Sequence, residues 1–317
     1  MIRGIKETIR KLILPKKKGK LKAIVTGGNG FIGSHIVDEL VNNKKFDEIR
    51  IIDNQSSDAH EHFYFSKSEK VRNFVWDIAD FDLIRPLFND VDVVFHLAAE
   101  SRIQPAIQNP ALAAKTNVTG TCNVLQAARE AGCDRVIYSS TSSAYGLANT
   151  PPLKEDMPND CLNPYSVTKV AGEELCKMYT SLFGLKTITF RYFNVYGDRQ
   201  CTKGQYAPVI GLFLKQKEAG EKMTVVGDGL QTRDYTNVKD VVKVNMQAMI
   251  TKKGFGEIYN VGTGKEHSIL DLVNIIGGKH KHIPERIGES RNTKADISKT
   301  MKILNWKPII KLEDYLS

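Results

Sequence analysis

The sequence is most constrained where a short apolar run, Ala23-Ile24-Val25, breaks into the turn Gly27-Gly28-Asn29-Gly30-Phe31-Ile32-Gly33 and resumes with helical periodicity through about Leu40. Strand, glycine turn and helix in that order open a parallel α/β unit. Glycines let the turn close tightly and let a phosphate approach the backbone. The helix N-terminus then offers free N–H groups and the positive end of its dipole. Asp53 ends the next apolar run, 20 residues beyond Gly33. A carboxylate at that spacing accepts hydrogen bonds from ribose hydroxyls and repels a 2′-phosphate. The unit is therefore expected to hold NAD rather than NADP, with Gly27, Gly30, Phe31, Ile32, Gly33 and Asp53 around it.

Further apolar runs without alternation lie at Ile49–Ile52, Val71–Val75, Val91–Leu97, Arg135–Ser139 and Lys186–Tyr192. Helical patterns at about Ala111–Ala131 and Pro164–Leu182 separate the later ones. The rhythm predicts a Rossmann-type, doubly wound parallel sheet covered on both faces. After Phe193 glycines punctuate shorter elements, which predicts a smaller, discontinuous C-terminal substrate lobe. We divide the 317 residues into a basic extension (1–20), an NAD-binding part (21–193, with returns near 238–261) and a substrate lobe (194–237 and 262–317).

The net charge of +9 does not mark a nucleic-acid binder, because it is localised. Residues 1–22 hold nine Lys and Arg against Glu7, which makes that segment +8 and leaves +1 for the rest. Ile2, Ile5, Ile9, Leu12 and Ile13 recur there at helical spacing. We read residues 1–20 as a basic extension, frayed or packed on the body or a partner subunit, in preference to a helix in weak contact with an anionic membrane surface. No apolar run approaches the roughly 18 residues of a membrane span. The five cysteines form no C-x-x-C pair, which argues against a zinc site or disulfide framework and for the reducing cytoplasm. The H-x-H pairs His60/His62 and His280/His282 are read as solvated loop residues, and His96 as structural; no metal is expected.

Asn163-Pro164 is a helix start, with a side-chain cap and proline in the first turn. Tyr165 and Lys169 follow at i and i+4 and share a helix face. A phenol is a poor base at neutral pH. An ammonium and a positive nicotinamide ring beside it are expected to favour phenolate and lower its pKa. Such a pair can take a proton from a sugar hydroxyl while that carbon is oxidised.

Taken together, the motifs resemble the extended short-chain dehydrogenase/reductase family over about Lys20 to Asp314. They are Thr26–His35, Ile52-Asp53-Asn54, Asp77-Ile78, His96-Leu97-Ala98-Ala99, Asn117, Tyr138–Gly146, Tyr165–Lys169, Arg191–Gly197 and Gly227–Asp234. The resemblance implies that Asn54, Asp77 and Ile78 lie at the adenosine end, that Leu97, Ala98, Ala99 and Asn117 line the cofactor groove, and that Tyr165 and Lys169 also touch the cofactor. It implies that Thr141 hydrogen-bonds the reacting oxygen, and that Asn194, Arg233 and Arg291 hold a nucleotide diphosphate. Arginine forks match phosphate oxygens, although for Arg291 a structural ion pair is the competing reading. Family members usually continue past the position of Leu316 with another helical segment, and residues 1–20 lie outside the family pattern.

The family oxidises nucleotide sugars at C4 and then epimerises, dehydrates or decarboxylates them. Dehydratases resembling this chain carry Asp-Glu just after the threonine, and decarboxylases carry Glu at the second position. Ser142 and Ser143 stand here instead. The stretches Glu100–Pro105 and Gly204–Ile210 resemble the UDP-hexose 4-epimerase branch, and the resemblance implies substrate contacts at Gln205, Tyr206, Val209, Arg286 and Glu289. Thr293 is small at a position that sets room for the sugar 2-substituent. The expectation is 4-epimerisation of UDP-glucose/UDP-galactose, and of UDP-GlcNAc/UDP-GalNAc, through a 4-keto sugar, by a homodimer joined through the helices near 111–131 and 173–183. The alternatives are a 4,6-dehydratase, a UDP-glucuronate decarboxylase or, outside enzymes, an NAD-sensing scaffold. Retention of Thr141, Tyr165 and Lys169 together favours catalysis.

Overall fold

The computed structural model describes residues 19–57, 62–202, 207–285 and 290–316. Its centre is a sheet of seven parallel strands: β1 (Leu21–Thr26), β2 (Phe46–Ile52), β3 (Val71–Phe74), β4 (Val93–His96), β5 (Arg135–Thr141), β6 (Lys186–Tyr192) and β7 (Glu257–Val261). They run in the order β7-β6-β5-β4-β1-β2-β3. Order reverses between β1 and β4, and the crevice outside their carboxyl ends is where ligands of such sheets bind.

The strands read as continuous apolar runs because both faces are covered. Ala23 and Val25 of β1 join one core with Ile36 and Leu40 of α1 (Phe31–Asn42), while Ile24 faces the other with Val124 and Leu125 of α2 (Gly120–Glu130). α3 (Pro164–Phe183) shares the second face through Cys176 and Tyr179, and α4 (Val238–Ile250) covers the first through Val241 and Val244. The chain thus returns from the lobe to lay α4 on the sheet and add β7 beside β6. The lobe has its own core, with Phe213, Met223, Val225, Leu272 and Ile276 between helices Val209–Glu218 and Ile269–Ile276 and the parallel pair Met223–Val226/His280–Ile283.

Two elements differ from expectation. The helix expected over 111–131 is interrupted by a π-helical turn at Lys115–Thr119 between Pro110–Ala114 and α2. A one-residue widening leaves the apolar pattern nearly unchanged, so periodicity cannot reveal it. His280 and His282 belong to a strand rather than a loop; His282 Nδ1 lies 2.7 Å from Gly227 O.

Candidate active site

One cleft of about 540 Å³ runs along the carboxyl edge of the sheet from Asp53 to Thr293. The glycine turn forms its floor. Gly27 has φ +69°, and a Cβ there would meet Ala98 N at 2.8 Å; a Cβ on Gly33 would lie 2.1 Å from Gly27 O. Backbone and helix N-terminus can approach a pyrophosphate only because these side chains are absent. Asp53, buried at the end of β2, accepts the N–H groups of Asn29 (3.0 Å) and Gln55 (2.9 Å) while lining the cleft. It fixes the turn and leaves lone pairs for ribose hydroxyls. Asn54 and Ile78 line the same end beside Phe63 and Trp76. Asp77 does not line it; its carboxylate accepts Ala79 N–H at 2.8 Å. Closed glycine floor, buried carboxylate and apolar slot fit NAD.

The wall is Leu97, Ala98 and Ala99. Thr26 Oγ1 accepts the N–H groups of Leu97 (3.1 Å) and Ala98 (3.2 Å), so its own proton goes to His96 Nδ1 at 2.7 Å. Nε2–H of His96 then donates to Thr121 Oγ1 at 2.9 Å. Burial pushes this imidazole down to about 3, so it is a neutral bolt between β1, β4 and α2. Asn117 stands behind the wall instead of on it. Its Nδ2 donates to Glu100 O (3.0 Å) and Thr168 Oγ1 (2.9 Å), and its Oδ1 accepts Glu100 N–H (2.8 Å). Every hydrogen-bonding atom of the amide is used to join the wall to α3, so in this structure Asn117 supports the groove from behind.

Thr141, Tyr165 and Lys169 line the middle of the cleft. Asn163 caps α3 by accepting Ser166 N–H at 2.9 Å, within a reciprocal capping box followed by Pro164. This start fixes where the face bearing Tyr165 and Lys169 meets β5. Thr141 ends β5 and accepts Ser143 N–H at 3.1 Å. The Lys169 Nζ lies 4.6 Å from the ring centroid of Tyr138, whose hydroxyl donates to Lys169 O at 3.2 Å. Burial pulls this ammonium down to about 8. The Tyr165 phenol is raised by burial, although a hydrogen bond with Thr141 works against the rise. Within the protein alone burial outweighs this hydrogen bond, so the expected lowering rests on the charge that a bound nicotinamide ring would add.

At the far end Asn194, with φ +29°, donates to Asp234 O (3.0 Å) and to Thr293 Oγ1 (3.4 Å). Thr293 is buried and lines the cleft, as do Val209 and Arg233. Arg233 Nη1 donates to Thr232 O (2.9 Å) and Arg291 O (3.0 Å). Asp234 is structural: its carboxylate accepts the N–H groups of Thr263, Gly264 and Ala295. Arg291 is not brought in. Its fork closes on Asp228 (3.0 and 2.6 Å) on the exposed rim, which is the ion-pair reading. Gln205, Tyr206, Arg286 and Glu289 lie outside the described residues, as does the extension 1–18.

Sequence reasoning missed the Phe63 and Trp76 edge, which no motif marks. It also missed Glu173, one turn beyond Lys169. The signal was available in Arg191, a cation inside the apolar strand Lys186–Tyr192, because a charge there requires a buried counter-ion.

Residues 24–317 match the family model described as GDP-mannose 4,6 dehydratase. The chain is 40% identical over 299 residues to a putative UDP-glucose 4-epimerase of Methanocaldococcus jannaschii, covering 92% of this chain and 94% of that protein. It is 36% identical over 324 residues to the UDP-N-acetyl-α-D-glucosaminuronate decarboxylase of Bacillus cytotoxicus, covering 94% and 96%. Among solved structures, the UDP-glucuronic acid 4-epimerase of Bacillus cereus, in complex with UDP-glucuronic acid and NAD, matches with a TM-score of 0.83 at 32% identity over 93% of this chain and 96% of that one.

Proposed function

The chain belongs to this NAD-dependent epimerase/dehydratase family, and on that premise we propose that it is a UDP-hexose 4-epimerase working in the cytoplasm as a homodimer. The observation that carries the reading is the convergence of Thr141, Tyr165 and Lys169 in one cleft with the glycine floor, where Ser142 and Ser143 offer hydroxyls in place of the carboxyl groups that dehydration or decarboxylation uses. NAD, held by the glycine turn and Asp53, would supply reversible hydride acceptance at C4. Thr141 holds the 4-oxygen, and Tyr165 takes its proton. The Lys169 ammonium favours the Tyr165 phenolate that accepts this proton. Arg233 and Asn194 hold the diphosphate end while the 4-keto sugar turns between them and Thr141. Tyr165 then returns its proton to the 4-oxygen. The compact Thr293 leaves room for a 2-acetamido group, so UDP-GlcNAc and UDP-GalNAc are substrates with UDP-glucose and UDP-galactose.

Decarboxylation of a UDP-uronate is the second reading. It is favoured by the decarboxylase relative and by Glu100, which is with Asp53 one of two carboxylates lining the cleft among the described residues. An NMR time course with UDP-glucose, UDP-GlcNAc, UDP-glucuronate and dTDP-glucose decides between them. Epimerisation gives only the C4 epimers of the first two. A UDP-pentose or a 6-deoxy-4-keto sugar as product refutes it.

A further inference from the structure

Beneath Lys169 lies a charged cluster that the proposed chemistry does not use. Glu173, one turn further along α3, is buried, and so is Arg191 in the middle of β6. The guanidinium meets the carboxylate in a fork, Nε to Oε1 at 2.9 Å and Nη2 to Oε2 at 2.6 Å. Glu173 Oε1 also accepts the hydroxyl of Ser140 at 2.5 Å, and Ser140 immediately precedes Thr141 on β5. Arg191 stacks on Tyr145 (4.6 Å to the ring centroid) and donates to Asn159 Oδ1 at 2.6 Å. One carboxylate therefore joins the helix of Tyr165 and Lys169 to the strand of Thr141. The helix sits hard against that strand: a Cβ on Gly172 would come within 2.2 Å of the Tyr138 hydroxyl. A buried ion pair is a weak source of stability, because desolvation of both charges offsets most of their attraction. Position and field are what it provides here.

We propose that Glu173 is a positioning residue whose carboxylate anchors the Tyr165–Lys169 face of α3 to the Thr141 strand and supplies the negative field that keeps the Lys169 ammonium charged. The inference rests on the proposed roles of Tyr165 and Lys169. The groups facing Lys169 are Glu173 and Cys176 on its own helix, Tyr138 on β5 and His96 on β4, with Tyr165 lining the same cleft one turn before it and Arg191 on β6 behind Glu173. Burial keeps most of them uncharged at neutral pH. It holds His96 near 3, pushes the Cys176 thiol up to about 12, and raises the Tyr138 and Tyr165 phenols. Cys176 would support the ammonium only as thiolate, so at neutral pH that support comes from Glu173, with Arg191 opposing it from further away.

The test is an NMR titration of the protein as purified, labelled at lysine Cε, following the resonance that Lys169→Met removes. The wild-type midpoint is expected near 8. Glu173→Gln leaves Arg191 uncompensated and lowers the midpoint by roughly one unit or more. Glu173→Gln with Arg191→Gln removes both charges and restores it to within about half a unit of wild type. An unmoved midpoint in the single variant, or an equally low one in the double, overturns the proposal. Because no substrate is present, the result does not depend on which sugar is turned over. Ser140→Ala keeps both charges, cuts the tie to β5 and will fold even if Glu173→Gln does not. It is expected to lower kcat roughly tenfold with KM unchanged. Full kcat in Ser140→Ala overturns the positioning role.

Discussion

Tyr165 and Lys169 carry opposite burdens from the same burial. Desolvation disfavours every charge, so the phenol rises and the ammonium falls to about 8. Below that value Lys169 is charged and can stabilise a phenolate; above it the support is lost. The pH–kcat profile is therefore expected to decline as pH rises through about 8, and a kcat still rising at pH 10 contradicts this assignment. Tyr165→Phe removes the proton acceptor and leaves the ring in place. We expect kcat to fall by about 10²–10⁴-fold with the dinucleotide still bound, read from turnover and the absorbance of the purified protein. These two residues were legible in sequence from their spacing and from the Asn163-Pro164 cap before them. The upward pull of burial on the phenol was not, because it depends on packing that periodicity does not describe. Arg291 was ambiguous for a related reason: one guanidinium serves equally for a phosphate or for Asp228, and only geometry distinguishes them.

At the scale of elements, the β1–turn–α1 unit positions everything else. Gly33 is where α1 crosses the turn, and a methyl group there would overlap Gly27 O. Gly33→Ala forces backbone to move and is expected to destabilise the fold by about 1–3 kcal/mol. The variant should also purify without dinucleotide. Thermal unfolding and absorbance check both, and a stable, dinucleotide-loaded variant would refute this role for the turn. The unit was readable because its glycines have no apolar alternative. β7 was harder to read. Ile258–Val261 is a short apolar run far from its partner β6 in sequence, and what makes it a sheet strand is the parallel register it shares with Thr189–Tyr192. The π turn at Lys115–Thr119 was invisible, although it brings in Asn117, whose amide ties the cofactor wall to α3.

At the scale of the molecule, Ile107, Leu112 and Val167 are 40%, 42% and 53% exposed on segments packed against one another. Large exposed apolar side chains grouped on one face mark a contact surface. We expect a dimer through this face in sedimentation. Val167→Glu is expected to give monomers, and a monomeric wild type contradicts the expectation. No helix among the described residues is long and apolar enough to cross a membrane. The proposed epimerisation oxidises one carbon and then reduces it without its hydrogen leaving the site. UDP-glucose carrying deuterium at C4 tests this directly. Epimerisation by direct hydride return gives UDP-galactose with the label still at C4 and none in solvent; a product that has lost the deuterium to water is incompatible with it.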